Sequence, residues 1–165
     1  MDKKKILNNL QIKKKIKRIS LQIIESNNSE EEIIIGGIEK NGFIISKKIS
    51  DEIKNNSDIK VKLCKIIIDK KNPRKQISTS LKLEDYQNKS IVLIDDVLNS
   101  GSTLIYAVKH FLDTDIKKIK TAVLVDRNHK KFPIKADFKG LSLSTSIQNH
   151  VEVIFDQNKI EGFLI

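Results

Sequence analysis

A chain of 165 residues, 39% apolar and with a formal charge of +10, is long enough for one domain with a substantial core and too apolar to be disordered. A single cysteine, Cys64, excludes an intramolecular disulfide. No apolar run approaches the ~20 residues that span a bilayer, and the N-terminal MDKKKILNNL carries no apolar h-region, so a cytoplasmic protein is expected. The positive charge is carried mainly by lysine and is compatible both with phosphate or nucleic-acid ligands and with a solvated surface. Two Tyr and no Trp leave few platforms for stacking unpaired bases.

In chain order, Ile12, Ile16, Ile19 and Ile23 recur at helical spacing and predict a helix over 8–27, ended by Ser26-Asn27-Asn28-Ser29. The run EIIIGGI at 32–38 predicts a strand. A second helix over 42–55 is carried by Phe43, Ile44, Ile45, Ile49 and Ile53. A strand over 59–68 contains Cys64 and is followed by a polar, basic loop at 69–80. A buried strand is expected at 90–95 and an amphipathic helix at 103–113, with Leu104, Ala107, Val108, Phe111 and Leu112. Strands at 120–125 and 151–155 flank a polar loop at 127–140. Strands alternating with helices imply an α/β fold with a mainly parallel twisted sheet flanked by helices. Ligands then bind at the carboxyl ends of the strands. Three of those ends carry distinctive residues, at 36–42, 95–103 and 126–137.

The richest of these is IVLIDDVLNSGST, residues 91–103. An apolar strand delivers two adjacent carboxylates, Asp95 and Asp96. Val97 and Leu98 lead into Asn99-Ser100-Gly101-Ser102-Thr103, and a helix follows. Backbone N–H groups at a helix start hold a phosphate, Gly101 allows close approach, and the hydroxyls of Ser100 and Thr103 add hydrogen bonds. Carboxylates accept hydrogen bonds from ribose hydroxyls. The arrangement suits a sugar phosphate, and it resembles the phosphoribosyl pyrophosphate (PRPP) motif of type I phosphoribosyltransferases.

A second stretch is more discriminating. LVDRNHKKFPIKADFKG, residues 124–140, resembles the corresponding part of the bifunctional pyrimidine operon attenuator/uracil phosphoribosyltransferase family. Thr145-Ser146 and the N-terminal IKRIS at 16–20 match it in collinear order. The resemblance implies a type I phosphoribosyltransferase-like domain over 1–165, with a small hood contributed by about 127–147. It implies transfer from PRPP to a pyrimidine base, uracil, giving UMP and pyrophosphate. Mg²⁺ would be bound mainly through PRPP, with no direct protein ligand. It also implies a homodimer or higher homo-oligomer, and binding to a structured mRNA leader. The alternative reading is a UMP- or PRPP-sensing RNA-binding regulator of pyrimidine genes with little catalysis.

Carried over residue by residue, Asp95 and Asp96 become the catalytic pair. Residues Asp95, Asp96, Val97, Leu98, Asn99, Ser100, Gly101, Ser102 and Thr103 become the PRPP site, and Lys40, Asn41 and Gly42 the pyrophosphate loop. Phe132, Ile134, Lys135 and Asp137 form the base side. The loop 70–80, with Lys71, Arg74 and Lys75, is a candidate lid. The chain departs from the family in its charges. Asn41 stands where the family has Arg, and a neutral amide replaces a planar cation. Ser102 replaces an Arg of the PRPP loop, and Leu141 and Ile147 stand where basic residues are usual. Asn128, Lys130, Lys135 and Ser144 replace Gly, Arg, Arg and Pro. Asn99 occupies the place where purine phosphoribosyltransferases often carry an acidic residue, which disfavours purine chemistry. His129 has no partner at metal-binding spacing and reads as a surface or structural histidine.

Overall fold

Alternating strands and helices place one sheet between two helical layers. The computed structural model describes residues 3–144, 150–157 and 159–165; Thr145, Ser146 and Ile147 lie outside them. The elements are β1 (Lys4–Leu7), α1 (Asn9–Ser26), β2 (Glu32–Ile38), α2 (Asn41–Asn56), β3 (Lys60–Ile67), β4 (Ser78–Thr79), α3 (Leu83–Tyr86), β5 (Ser90–Leu98), α4 (Ser102–Leu112), β6 (Lys118–Asp126), β7 (Phe138–Ser142), β8 (Val151–Asp156) and β9 (Lys159–Leu164).

The main sheet runs β4-β3-β2-β5-β6-β7. All its pairs are parallel except the short β4, which is antiparallel to β3. Alternation along the strands divides the core. Ile33, Ile35, Val92, Ile94, Ala122 and Leu124 face α1 and α2. Ile34, Ile91, Leu93 and Val123 face Tyr86 of α3 and Leu104, Ala107 and Phe111 of α4. Period-2 burial on both faces is what a parallel sheet covered by helices requires.

The helix starts follow their sequences. Asn8 caps α1: its side-chain Oδ1 accepts from the Gln11 N–H at 2.9 Å, and the Gln11 side chain accepts from the Asn8 N–H at 2.9 Å. The isoleucine stripe then buries Ile12, Ile16, Ile19 and Ile23.

The small second layer comes from a different stretch than 127–147. It is a three-stranded antiparallel sheet, β1-β9-β8, made by the two ends of the chain. Residues Phe138–Ser142 instead join the main sheet as β7, because Ala122 to Asp126 of β6 offer them a parallel edge. The strand expected at 90–95 continues to Leu98, whose partner is Asp126. The polar loop after β3 contains β4, and α3 follows it.

Candidate active site

The strand order sets the place. From β2 the sheet grows outward to β3, and from β5 it grows the other way to β6. The crevice at such a reversal, at the carboxyl ends of the strands, is the usual ligand site of an open α/β sheet. Here a cleft of about 490 Å³ opens at that point, lined by Asn41, Lys70, the run from Asp95 to Leu104, Arg127 and residues 150–153. Its size is that of a small-molecule site.

Asp95 and Asp96 ride the last part of β5. Both are buried, at 3% and 9% exposure. The Lys70 ammonium lies 2.9 Å from Asp95 Oδ1 and 3.6 Å from Asp96 Oδ1. Asn41 Nδ2 donates to Asp96 Oδ2 at 2.7 Å and to the Val153 carbonyl of β8 at 3.3 Å. The Val97 N–H donates to Asp96 Oδ1 at 2.9 Å. Burial pushes Asp95 up to about 7, with the Asp96 charge adding to it and Lys70 opposing it. Burial acts on Asp96 in the same sense. There it is outweighed by the Lys70 charge and by hydrogen bonds from Asn41 and its neighbours, so Asp96 stays below the usual range. The pair is thus split into an easily protonated member and a firmly ionised one.

The loop after β5 is short because Gly101 takes φ +84°, a left-handed conformation that suits glycine. A Cβ there would also meet Ile134 Cγ2 at 2.5 Å. α4 starts at once, with Gly101 as its N-cap and no side-chain cap bond. The Ser102 N–H donates to Ser100 Oγ at 3.3 Å. The first N–H groups of a helix have no acceptor within it, and those of α4 border the cleft.

The pyrophosphate loop is split between roles. Asn41 lines the cleft. Lys40 is exposed, preceded by a cis Glu39–Lys40 peptide. Gly42 is pressed on β5: a Cβ would lie 2.5 Å from the Ile94 carbonyl oxygen, so only glycine lets α2 start against that strand.

The residues expected on the base side do not stay together. The Lys131 and Phe132 N–H groups donate to the Ser100 carbonyl at 2.8 and 3.1 Å, and Ile134 backs Gly101. These residues brace the phosphate-type loop from outside. Lys135 and Asp137 are drawn away. The Lys135 carbonyl accepts from the Thr121 hydroxyl at 2.7 Å, and Asp137 Oδ2 accepts from the Thr121 N–H at 2.9 Å. The cause is topological: β7 runs parallel to β6, so the chain must descend beside β6 before it can pair.

Several cleft residues were not singled out by sequence. In the sequence Lys70 belongs only to a candidate lid, and 151–153 only to a strand. Arg127 donates to Asn99 Oδ1 at 2.9 Å. Behind it, fully buried Asp126 holds Lys130 and Lys139 at 3.2 and 3.3 Å and accepts from the Asn128 N–H at 3.0 Å. Burial works against its charge, but these partners hold it below the usual carboxylate range. The signal for this group was the Asp126-Arg127 pair at a strand end.

The family pattern described as a phosphoribosyl transferase domain matches residues 2–157. The Bifunctional protein PyrR of Streptococcus thermophilus (strain ATCC BAA-491 / LMD-9) is 33% identical over 159 residues, covering 93% of this chain and 91% of that protein. The Bifunctional protein PyrR of Streptococcus agalactiae serotype Ia is 32% identical over 166 residues, covering 99% and 95%. Among solved structures, a hypoxanthine-guanine phosphoribosyltransferase from Bacillus anthracis aligns with TM-score 0.76 at 18% identity over 98% of both chains. The hypoxanthine phosphoribosyltransferase of Trypanosoma cruzi aligns with TM-score 0.78 at 15% identity, over 96% of this chain and 95% of that one. The two structures share the fold of this chain, an α/β sheet flanked by helices. The resemblance carried by residues 91–103 and 124–140 is borne out, and the chain belongs to the phosphoribosyltransferase family, an enzyme family, alongside the Bifunctional PyrR proteins.

Proposed function

We propose that the enzyme transfers the phosphoribosyl group of PRPP to uracil, giving UMP and pyrophosphate. The observation that carries this reading is the buried Asp95–Asp96 pair set directly before the Gly101 turn and the start of α4, in one cleft. The resemblance of 124–140 to the bifunctional pyrimidine operon attenuator/uracil phosphoribosyltransferase family supports a pyrimidine as the acceptor.

In this reading the carboxylates of Asp95 and Asp96 accept the ribose hydroxyls and fix the sugar for attack at C1. Ser100, Gly101, Ser102 and Thr103 hold the 5′-phosphate with N–H groups and hydroxyls at the α4 start. Asn41 and Gly42 set the pyrophosphate end. Catalysis is positioning plus stabilisation of charge on the leaving group. Mg²⁺ bound through PRPP oxygens would neutralise the pyrophosphate. Phe132 and Ile134 keep the phosphate loop in shape. The Lys135 carbonyl and the Asp137 carboxylate accept from Thr121.

The test is pyrophosphate release from PRPP with Mg²⁺ and a panel of uracil, cytosine, adenine, guanine, hypoxanthine and orotate. Turnover with uracil alone is expected. A folded sample that binds PRPP and turns over none of them overturns catalysis and leaves the second reading, an RNA-binding regulator that senses the nucleotide. That reading is favoured by the relatives' bifunctional designation. It is favoured also by Lys13, Lys14 and Lys17, exposed together on α1. It requires RNA binding that weakens with salt and with UMP.

A further inference from the structure

Lys70 is a charged residue of the cleft that lies outside the PRPP motif. It lies three residues beyond β3, in a turn braced by its neighbour. Asp69 Oδ1 accepts from the N–H groups of Lys71 and Asn72 at 3.0 and 3.1 Å, and the Asn72 N–H reaches the Asp69 carbonyl at 3.0 Å. Asp69 Oδ2 also takes the Lys75 ammonium at 2.8 Å. The backbone at Lys70 is therefore fixed, while its side chain remains 43% exposed and able to swing. In the free protein its ammonium sits on the two carboxylates that ribose hydroxyls would need. Ligand and lysine compete for the same oxygens.

Topology says where a displaced Lys70 goes. β3 borders β2, and β2 leads into Glu39, Lys40 and Asn41. The 5′-phosphate loop follows β5, on the far side of β2 from β3. Lys70 thus stands at the pyrophosphate end. At that end Asn41 is neutral, Glu39 is paired with Lys65 at 2.9 Å, and Lys40 is exposed outside the cleft lining. Among the described residues lining the cleft, the side chains with permanent positive charge are Lys70 and Arg127. Arg127 is directed at Asn99, on the β6 side.

Resting on the reading of this cleft as a PRPP site, we propose that Lys70 is a catalytic residue that leaves the Asp95–Asp96 pair when ribose binds and places its ammonium against the departing pyrophosphate, offsetting the negative charge that grows there. In the transfer the C1–O bond breaks with its electron pair going to the pyrophosphate oxygen. The base nitrogen bonds to C1 and releases its proton to water. Lys70 keeps its proton throughout and acts as a charge donor of hydrogen bonds. It takes over at a different point of the chain the positive charge that position 41 lacks.

The experiment is calorimetric titration of the full chain and its K70Q and K70R variants with three probes: Mg²⁺-PRPP, Mg²⁺-pyrophosphate and ribose 5-phosphate. The wild type binds PRPP. K70Q binds pyrophosphate at least about tenfold more weakly yet holds ribose 5-phosphate as tightly or more tightly, because its carboxylates have lost their competitor. With uracil, kcat falls further than KM rises. K70R keeps the ion pair, and so the fold, and shows the same split to a smaller degree. If K70Q weakens both probes equally, or neither, Lys70 is only a counter-ion for the carboxylates and the inference is overturned. A wild type that binds no PRPP overturns the underlying reading and the inference together.

Discussion

Asp95 pays in stability for its place in the cleft. An unfolded aspartate titrates at about 3.9, whereas burial, followed by the Asp96 charge, lifts Asp95 to about 7 in the folded chain. Between those values the folded state holds a proton that the unfolded state has released. Stability from this group is therefore complete below about 4, falls as pH rises through the window, and is lost above about 7. Asp95→Asn removes the titration. Its unfolding free energy should exceed that of the wild type at pH 8, by at most about 4 kcal/mol, and the gain should vanish near pH 4. Turnover of PRPP should fall at the same time, by about 100-fold. Parallel stability curves for the two proteins between pH 4 and pH 8 would refute the account. A site that is costly to fold and needed for chemistry is where a stabilising substitution is expected to be inactive.

The element that ties hood to sheet is the start of α2. Asn41 holds Asp96 with one contact and the Val153 carbonyl of β8 with another. Asn41→Ala should cost about 1 kcal/mol of stability, raise Asp96 toward the ordinary carboxylate range, and speed amide exchange in β8 while α4 is unaffected. Unchanged exchange in β8 would show that the apolar core alone holds the hood. Asn41 was legible as a departure from the family pattern, but its two partners were not, since they come from β5 and β8. The same distinction runs through the molecule. The isoleucine stripe of α1 and the apolar runs of β2, β5 and β6 carry their period locally, and residues 95–103 are one contiguous strand, turn and helix. By contrast, β1 is Lys-Lys-Ile-Leu, and its partner is at the opposite end of the chain, with Lys4 beside Leu164. Nothing local marks such a strand. Lys135 and Asp137 show a related limit: their stretch matches a family motif, but the bonds of the Lys135 carbonyl and the Asp137 carboxylate to Thr121 follow from the parallel return into β7. Lys70 was hidden among the other basic residues of its loop until the fold set it on the carboxylates.

At the scale of the whole molecule the hood and the main sheet share one apolar core. Leu7 of β1, Val151 and Val153 of β8 and Ile160 of β9 are buried in the same cluster as Ile12, Ile94 and Leu124. The hood's apolar side is thus part of the core under α1, and its β8 edge, at 151–153, is a wall of the cleft. β9 is the middle strand of its sheet, so it holds both β1 and β8 in register. Ile160 is 5% exposed there, and Ile160→Ala should destabilise the protein by about 2–5 kcal/mol through lost burial and the cavity left behind. If the body is cooperative, denaturant unfolding of the variant remains a single transition, and amides of β5 and β8 lose protection by the same amount. A hood that opened separately would instead lose protection in β8 alone, with β5 unchanged. Cooperative coupling has a functional consequence, because a cleft wall that cannot open independently keeps Asn41 on Asp96. Ligand affinity should then track global stability in Ile160→Ala, with PRPP raising the unfolding midpoint of the variant as it raises that of the wild type.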